Sequence, residues 1–140
     1  MEPIVTKEHS NFIYWVAHLV PFSSIHALYR GYYDFSALQL LMFLTSINYW
    51  KHPIYGPRRN IDMATTAIII SYHAWLSPQA EYAAMAYSVC FTGILFYPAS
   101  WYYQNKGYLW VSTYCHSIMH LLFFMCANIL YSGYIYPLTQ

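Results

Sequence analysis

The segment from Leu109 to Tyr131 reads LWVSTYCHSIMHLLFFMCANILY and contains no Lys, Arg, Asp or Glu. An α-helix rises about 1.5 Å per residue, so a helix of this length matches the ~30 Å hydrocarbon core of a membrane. Two histidines, His116 and His120, lie four residues apart within the segment. The segment therefore predicts a membrane-spanning helix that carries two ionisable side chains on one face.

The rest of the chain is equally poor in charge. Its 140 residues include six Lys or Arg and five Asp or Glu, so 8% are charged, against about a quarter in ordinary soluble domains. Hydrophobic residues make up 59% and aromatic residues 21%. So few charges cannot cover the surface of a soluble domain of this size. The composition indicates a membrane protein, or else a small apolar domain buried in a larger assembly. It excludes a disordered chain, a nucleic-acid-binding protein with a basic face and most soluble enzymes.

The charged residues separate five apolar segments, each long enough for about one crossing of the membrane. Because a backbone in lipid must satisfy its hydrogen bonds internally, we expect these segments to be α-helices. The sequence predicts one all-α domain over residues 1–140, a polytopic transmembrane bundle of about five spans; four spans with a re-entrant segment are the alternative. The predicted spans are residues 12–29, 35–50, 61–76, 81–97 and 109–131.

Prolines mark further limits of these helices. Pro21 lies inside the first span and predicts a kink, or a split into two shorter helices. Pro98 lies just after the fourth span and predicts its end. The cysteines Cys90, Cys115 and Cys126 all fall within spans, where we expect them to be reduced packing residues.

The basic residues are distributed unequally between the two sides of the predicted bundle. With five spans, Arg30 lies alone on one side, and the other side carries Lys7, Lys51, Arg58, Arg59 and Lys106. Because basic residues favour cytoplasmic loops, this asymmetry predicts a cytoplasmic N-terminus and a C-terminus on the opposite side.

The histidine pair is the first candidate functional site. An ionisable group at membrane depth costs a few kcal/mol by insertion scales, so each one is a functional candidate. Residues four apart on a helix stand one above the other, so His116 and His120 can share one tetrahedral metal such as zinc. Two neutral histidines that form hydrogen bonds with neighbouring helices are the alternative.

A second polar group surrounds the loop between the second and third spans. A helix end, a turn and a helix start place Ser46, His52 and Asp62 near one face of the membrane. His73 lies about 16 Å along the helix from Asp62, so one metal cannot bind both. His52 and, as the alternative, His73 are the candidates for a third metal ligand. Asp62 is a candidate catalytic residue, or else caps its helix or pairs with a neighbouring arginine.

In chain order, Ser46, His52, Asp62 and the H-x-x-x-H of His116 and His120 resemble the CREST superfamily of membrane hydrolases. That superfamily includes alkaline ceramidases and progestin/adiponectin receptor-like proteins. It typically spaces its Ser and His four residues apart, whereas Ser46 and His52 are six apart. The resemblance implies three histidines that hold zinc, and a water arranged by Asp62 and Ser46. That water would attack an amide or ester bond in a lipid.

Three functions are consistent with these observations. The first is a zinc-dependent intramembrane hydrolase that acts on a lipid amide or ester. The second is a non-catalytic scaffold, or a subunit of a larger complex, which associates with itself or with other membrane proteins. The third is a pathway for protons or solutes, or a heme protein, and the histidines that could line such a pathway are His18, His26, His73 and His116.

Overall fold

The computed structural model describes residues 4–135, and this part of the chain is α-helical with no β-strand. A single turn of 3₁₀-helix over Ser77–Gln79 follows the fourth helix. The α-helices are α1 Lys7–Ala17, α2 Val20–Tyr29, α3 Tyr33–Trp50, α4 Pro57–Leu76, α5 Ala83–Asn105 and α6 Leu109–Ser132. The predicted all-α fold class is confirmed, while residues 1–3 and 136–140 of the predicted domain lie outside the described part.

The first predicted span, residues 12–29, consists of two helices. α1 ends at Ala17, and α2 begins at Val20 with Pro21 in its first turn. A proline is accommodated there because the first N–H groups of a helix have no partner within it. The ring of His18, between the two helices, donates from Nδ1 to the carbonyl oxygen of Tyr14 at 2.8 Å. Of the two outcomes that Pro21 predicts, the structure shows the split.

The fourth predicted span, residues 81–97, ends before the corresponding helix of the structure does. α5 continues through Pro98 to Asn105, so the prediction that this proline ends the helix is wrong. A proline removes one backbone hydrogen bond, but neighbouring helices can hold the helix together on both sides of it. Here Ser100 donates from Oγ to the carbonyl oxygen of Ser112 on α6 at 3.0 Å. This contact keeps the end of α5 against α6.

The helices pack in a curved row. α5 lies along α6, which packs on α1 and α2; these pack on α3, and α3 packs on α4. α5 packs closely on α6 at Gly93, where a Cβ atom would come within 3.0 Å of the Phe123 ring. α4 and α5 form the two ends of the row and meet near the 3₁₀ turn, where Tyr87 donates to the carbonyl oxygen of Ala74 at 2.8 Å. Elsewhere a groove separates these two helices.

Large apolar side chains cover the outer faces of the helices. Trp15 on α1 is 68% exposed, Ile68 on α4 is 63% exposed and Phe91 on α5 is 64% exposed. In water such surfaces are unfavourable, and a soluble monomer rarely leaves large contiguous patches of this kind. Two helices, α5 and α6, are long and apolar enough to cross a membrane.

Candidate functional site: the groove between α4 and α5

Two adjoining cavities form the groove. We name the first, of about 510 Å³, the His120 cavity, because His116, His120 and Asp62 line it. The second, of about 600 Å³, is the His73 cavity. The two adjoin, because they share lining residues from four helices: Gln39, Met42, Ile70, Ile94 and Phe123.

The Asp62 carboxylate is held by hydroxyl groups of α3. Ser46 donates from Oγ to Asp62 Oδ1 at 2.7 Å, and Thr45 donates to the same oxygen at 3.3 Å. This contact arises because Ser46 lies near the end of α3 and Asp62 near the start of α4, on either side of a short loop. Ser46 and Asp62 are both buried. The structure thus brings together the two predicted catalytic residues, and the partners of Asp62 are hydroxyl groups, not the arginines before it.

The histidine pair lies on the wall of the same cavity. The rings of His116 and His120 have centroids 5.0 Å apart, as their four-residue spacing predicts. His120 Nε2 is buried and has no hydrogen-bond partner among the described residues. A buried polar atom without a partner is uncommon in a folded protein, and an unseen ligand or water is one explanation for it.

The predicted third ligands do not join the pair. His52 is exposed in the loop after α3. His73 donates from Nδ1 to the carbonyl oxygen of Ile69 at 2.8 Å, and its Nε2 accepts from the Tyr131 hydroxyl at 2.6 Å, so both ring nitrogens are used. Within residues 4–135, no three His, Cys, Asp or Glu side chains form a group that could hold a metal ion.

The side chain beside the pair is Trp50, which the sequence analysis did not single out. Trp50 lies four residues after Ser46 and is 7% exposed, and its ring centroid is 4.9 Å from that of His116. An indole is a hydrogen-bond donor without an acceptor nitrogen, and it does not bind zinc. The sequence signal that could have identified Trp50 is its position four residues after Ser46, the spacing at which the CREST superfamily typically has its histidine. The residues present therefore do not fit a zinc site with three histidine ligands.

The remaining histidines belong to other contacts. His26 donates from Nδ1 to Asn128 Oδ1 at 2.8 Å, and Tyr131, the partner of His73, also receives a hydrogen bond from Gln39 at 3.0 Å. These bonds connect α2, α3, α4 and α6 inside the bundle. No hydrogen bond in the described part of the chain links His116 to the histidines that were candidates for a pathway, His18, His26 and His73.

One end of the His120 cavity contains a positive charge. Arg59 lines this end, and its guanidinium carbon lies 5.2 Å from the centre of the Tyr55 ring. The extended segment before α1 covers the same end: Ile4 donates its N–H to the Pro53 carbonyl at 2.8 Å, and its own carbonyl accepts from Gln104 at 3.2 Å. Ile4 and its partners therefore cover part of the cavity next to Arg59, and on the other side the cavity adjoins the His73 cavity.

Comparisons with known proteins identify no relative of this chain. No protein-family model, no curated protein and no solved structure matches this chain. The resemblance to the CREST superfamily therefore rests on the residues quoted above, and the function must be argued from the groove itself.

Proposed function

We propose that this chain is a multi-span membrane protein whose groove between α4 and α5 binds the acyl chain of a membrane lipid. In this proposal α1 with α2, α3, α4, α5 and α6 form five spans, and the basic loops face the cytoplasm. The exposed apolar side chains on the outer helix faces support this arrangement, because they would contact lipid.

The observation that carries the proposal is an apolar groove of two adjoining cavities along one side of the bundle. Its two cavities, about 510 and 600 Å³, each fall in the range of ~300–1,000 Å³ that small-molecule sites occupy. Since α4 and α5 pack on each other only near the 3₁₀ turn, the groove is bounded by a helix on each side and by α3 and α6 behind. A flexible hydrocarbon chain can enter such a site sideways from the bilayer.

Photolabelling with a fatty acid that carries a photoactivatable group tests the proposal. The changes Ile70→Trp and Ile94→Trp each add an indole to a wall shared by both cavities, and we expect several-fold less labelling of the groove. Ile68→Trp is the matched control, because this neighbouring residue on α4 is 63% exposed and does not line the groove. Size-exclusion chromatography in detergent reports whether each variant is folded.

Two results would contradict the proposal. One is equal labelling of the wild-type protein and both groove variants. The other is a helix of a second membrane protein, or of a second copy of this chain, found crosslinked in the groove instead of lipid. The latter result would favour the scaffold hypothesis.

Hydrolysis of the bound lipid remains a second hypothesis. The hydrogen bond between Ser46 and Asp62, in the same cavity as the unpartnered nitrogen of His120, favours it. Because Trp50 occupies the place beside His116, we derive no step through zinc. Purified protein incubated with radiolabelled lipid amides and esters tests the hypothesis. Release of fatty acid that Asp62→Asn abolishes would support it, and release no faster than in a protein-free sample would refute it.

A further inference from the structure

The two ends of the groove differ in charge. Among the described residues, Arg59 is the only Lys or Arg that lines either cavity, and it lies at the covered end of the His120 cavity, which Asp62 also lines. The His73 cavity is lined by apolar and uncharged side chains together with His73. An amphipathic ligand in the groove would therefore place its polar end at Arg59 and its apolar end in the His73 cavity.

The guanidinium of Arg59 has an aromatic neighbour but no carboxylate partner among residues 4–135. It lies beside the Tyr55 ring, and the nearest acid in the chain, Asp62, is already bonded to the hydroxyl groups of Ser46 and Thr45. Arginine forms paired hydrogen bonds with phosphate and carboxylate oxygens, and these bonds are strongest where water is scarce. A half-buried arginine at the end of an apolar groove is thus suited to an anionic group.

The dimensions and the orientation of the groove agree with a lipid. At about 1.5 Å per residue, α4 rises roughly 22 Å from Arg59 to Ala74, so the groove extends beyond the midplane of a ~30 Å hydrocarbon core. The predicted topology places Arg59 on the cytoplasmic side, and the cytoplasmic leaflet carries most of the anionic lipids. Because Ile4 and its partners cover this end, a lipid would reach Arg59 from the membrane side.

We infer that the groove selects lipids with an anionic head, whose phosphate binds Arg59 while one acyl chain lies along α4 towards the His73 cavity. This inference rests on the proposed function, because it assigns the head of the lipid whose chain occupies the groove. It excludes a neutral or zwitterionic lipid as the preferred ligand.

Competition photolabelling tests the inference. The protein is placed in nanodiscs of phosphatidylcholine that contain either phosphatidate or phosphatidylcholine with the same photoactivatable acyl chain. We expect the wild-type groove to be labelled about fivefold more by the phosphatidate, since one basic residue near anionic lipid contributes roughly this factor. Arg59→Gln should remove the preference, so that the two lipids label the groove equally, and Arg59→Lys should keep part of it.

Arg58→Gln is the matched control. It removes the same charge from the adjacent residue, which is exposed and does not line the groove, so the preference should persist. Equal labelling by the two lipids in the wild-type protein would overturn the inference, and so would equal losses in Arg58→Gln and Arg59→Gln. Both results would leave the acyl-chain site intact, whereas absence of groove labelling by either lipid would contradict the proposed function itself.

Discussion

The substitution Trp50→His tests the account of the histidine pair most directly. It places an imidazole four residues after Ser46 and beside His116, where the structure has an indole. A histidine at this position starts from the same Cβ atom and points towards the same neighbour. The variant therefore offers zinc the three histidines that the wild-type site lacks.

The expected magnitude follows from the packing of Trp50. This side chain is 7% exposed and packs against Tyr49 with ring centroids 4.8 Å apart. Truncation of a buried tryptophan to alanine costs about 3–5 kcal/mol, and an imidazole keeps part of the contact, so we expect a loss of about 2 kcal/mol without metal. Zinc at a thousandfold excess over its dissociation constant adds about 4 kcal/mol of stability. That gain corresponds to a rise in Tm on the order of 10 °C.

The assay is thermal unfolding in detergent, with zinc and with a chelator, together with the zinc content of the purified protein. Trp50→His should unfold at a lower temperature than wild type in the chelator and at a higher temperature with zinc. Lys51→His is the control, because it adds an imidazole at an exposed adjacent residue and should show no comparable rise. The reasoning would be refuted by equal rises in the two variants. It would also be refuted by one zinc per wild-type chain that His116→Ala removes.

Two further substitutions test the contacts around the groove. Ser46→Ala deprives the buried Asp62 oxygen of its 2.7 Å partner and should lower the free energy of unfolding by about 1–3 kcal/mol, measured by denaturant titration in detergent. The exposed Ser88, which donates only to a backbone carbonyl of its own helix, is its control, and a loss as large in Ser88→Ala would contradict this reasoning. Gly93→Val should cost about 1–3 kcal/mol in the same titration, because its Cβ would lie 3.0 Å from the Phe123 ring; an unchanged midpoint would show that α5 and α6 can separate freely there.

The helices could be predicted from the sequence because charged residues and turn residues separate the apolar segments. The contact between His116 and His120 could be predicted as well, because helical geometry places residues four apart on one face. The prediction that Pro98 ends the helix was wrong. Beyond Pro98, α5 is held by a contact with another helix, the hydrogen bond from Ser100 to Ser112 of α6. Local sequence patterns do not contain such a contact.

The side chain that lies beside the histidine pair could not be predicted in the same way. His52 was favoured because of its residue type, but it follows the end of α3 and is exposed in the loop. Trp50 is the last residue of α3, and its ring lies beside that of His116. Which of the two faces α6 depends on where α3 ends and how it packs, and composition gives neither.

Pro98 also has a mechanical consequence for α5. Because proline has no N–H, the carbonyl group of Ile94, four residues earlier, lacks its usual partner in the helix, and Ile94 lines both cavities. A helix bends most easily where one of its backbone hydrogen bonds is absent. The segment beyond Pro98 is anchored to α6 by Ser100. We therefore expect α5 to bend at Pro98, while the contacts at Gly93 and Ser100 keep both of its halves against α6.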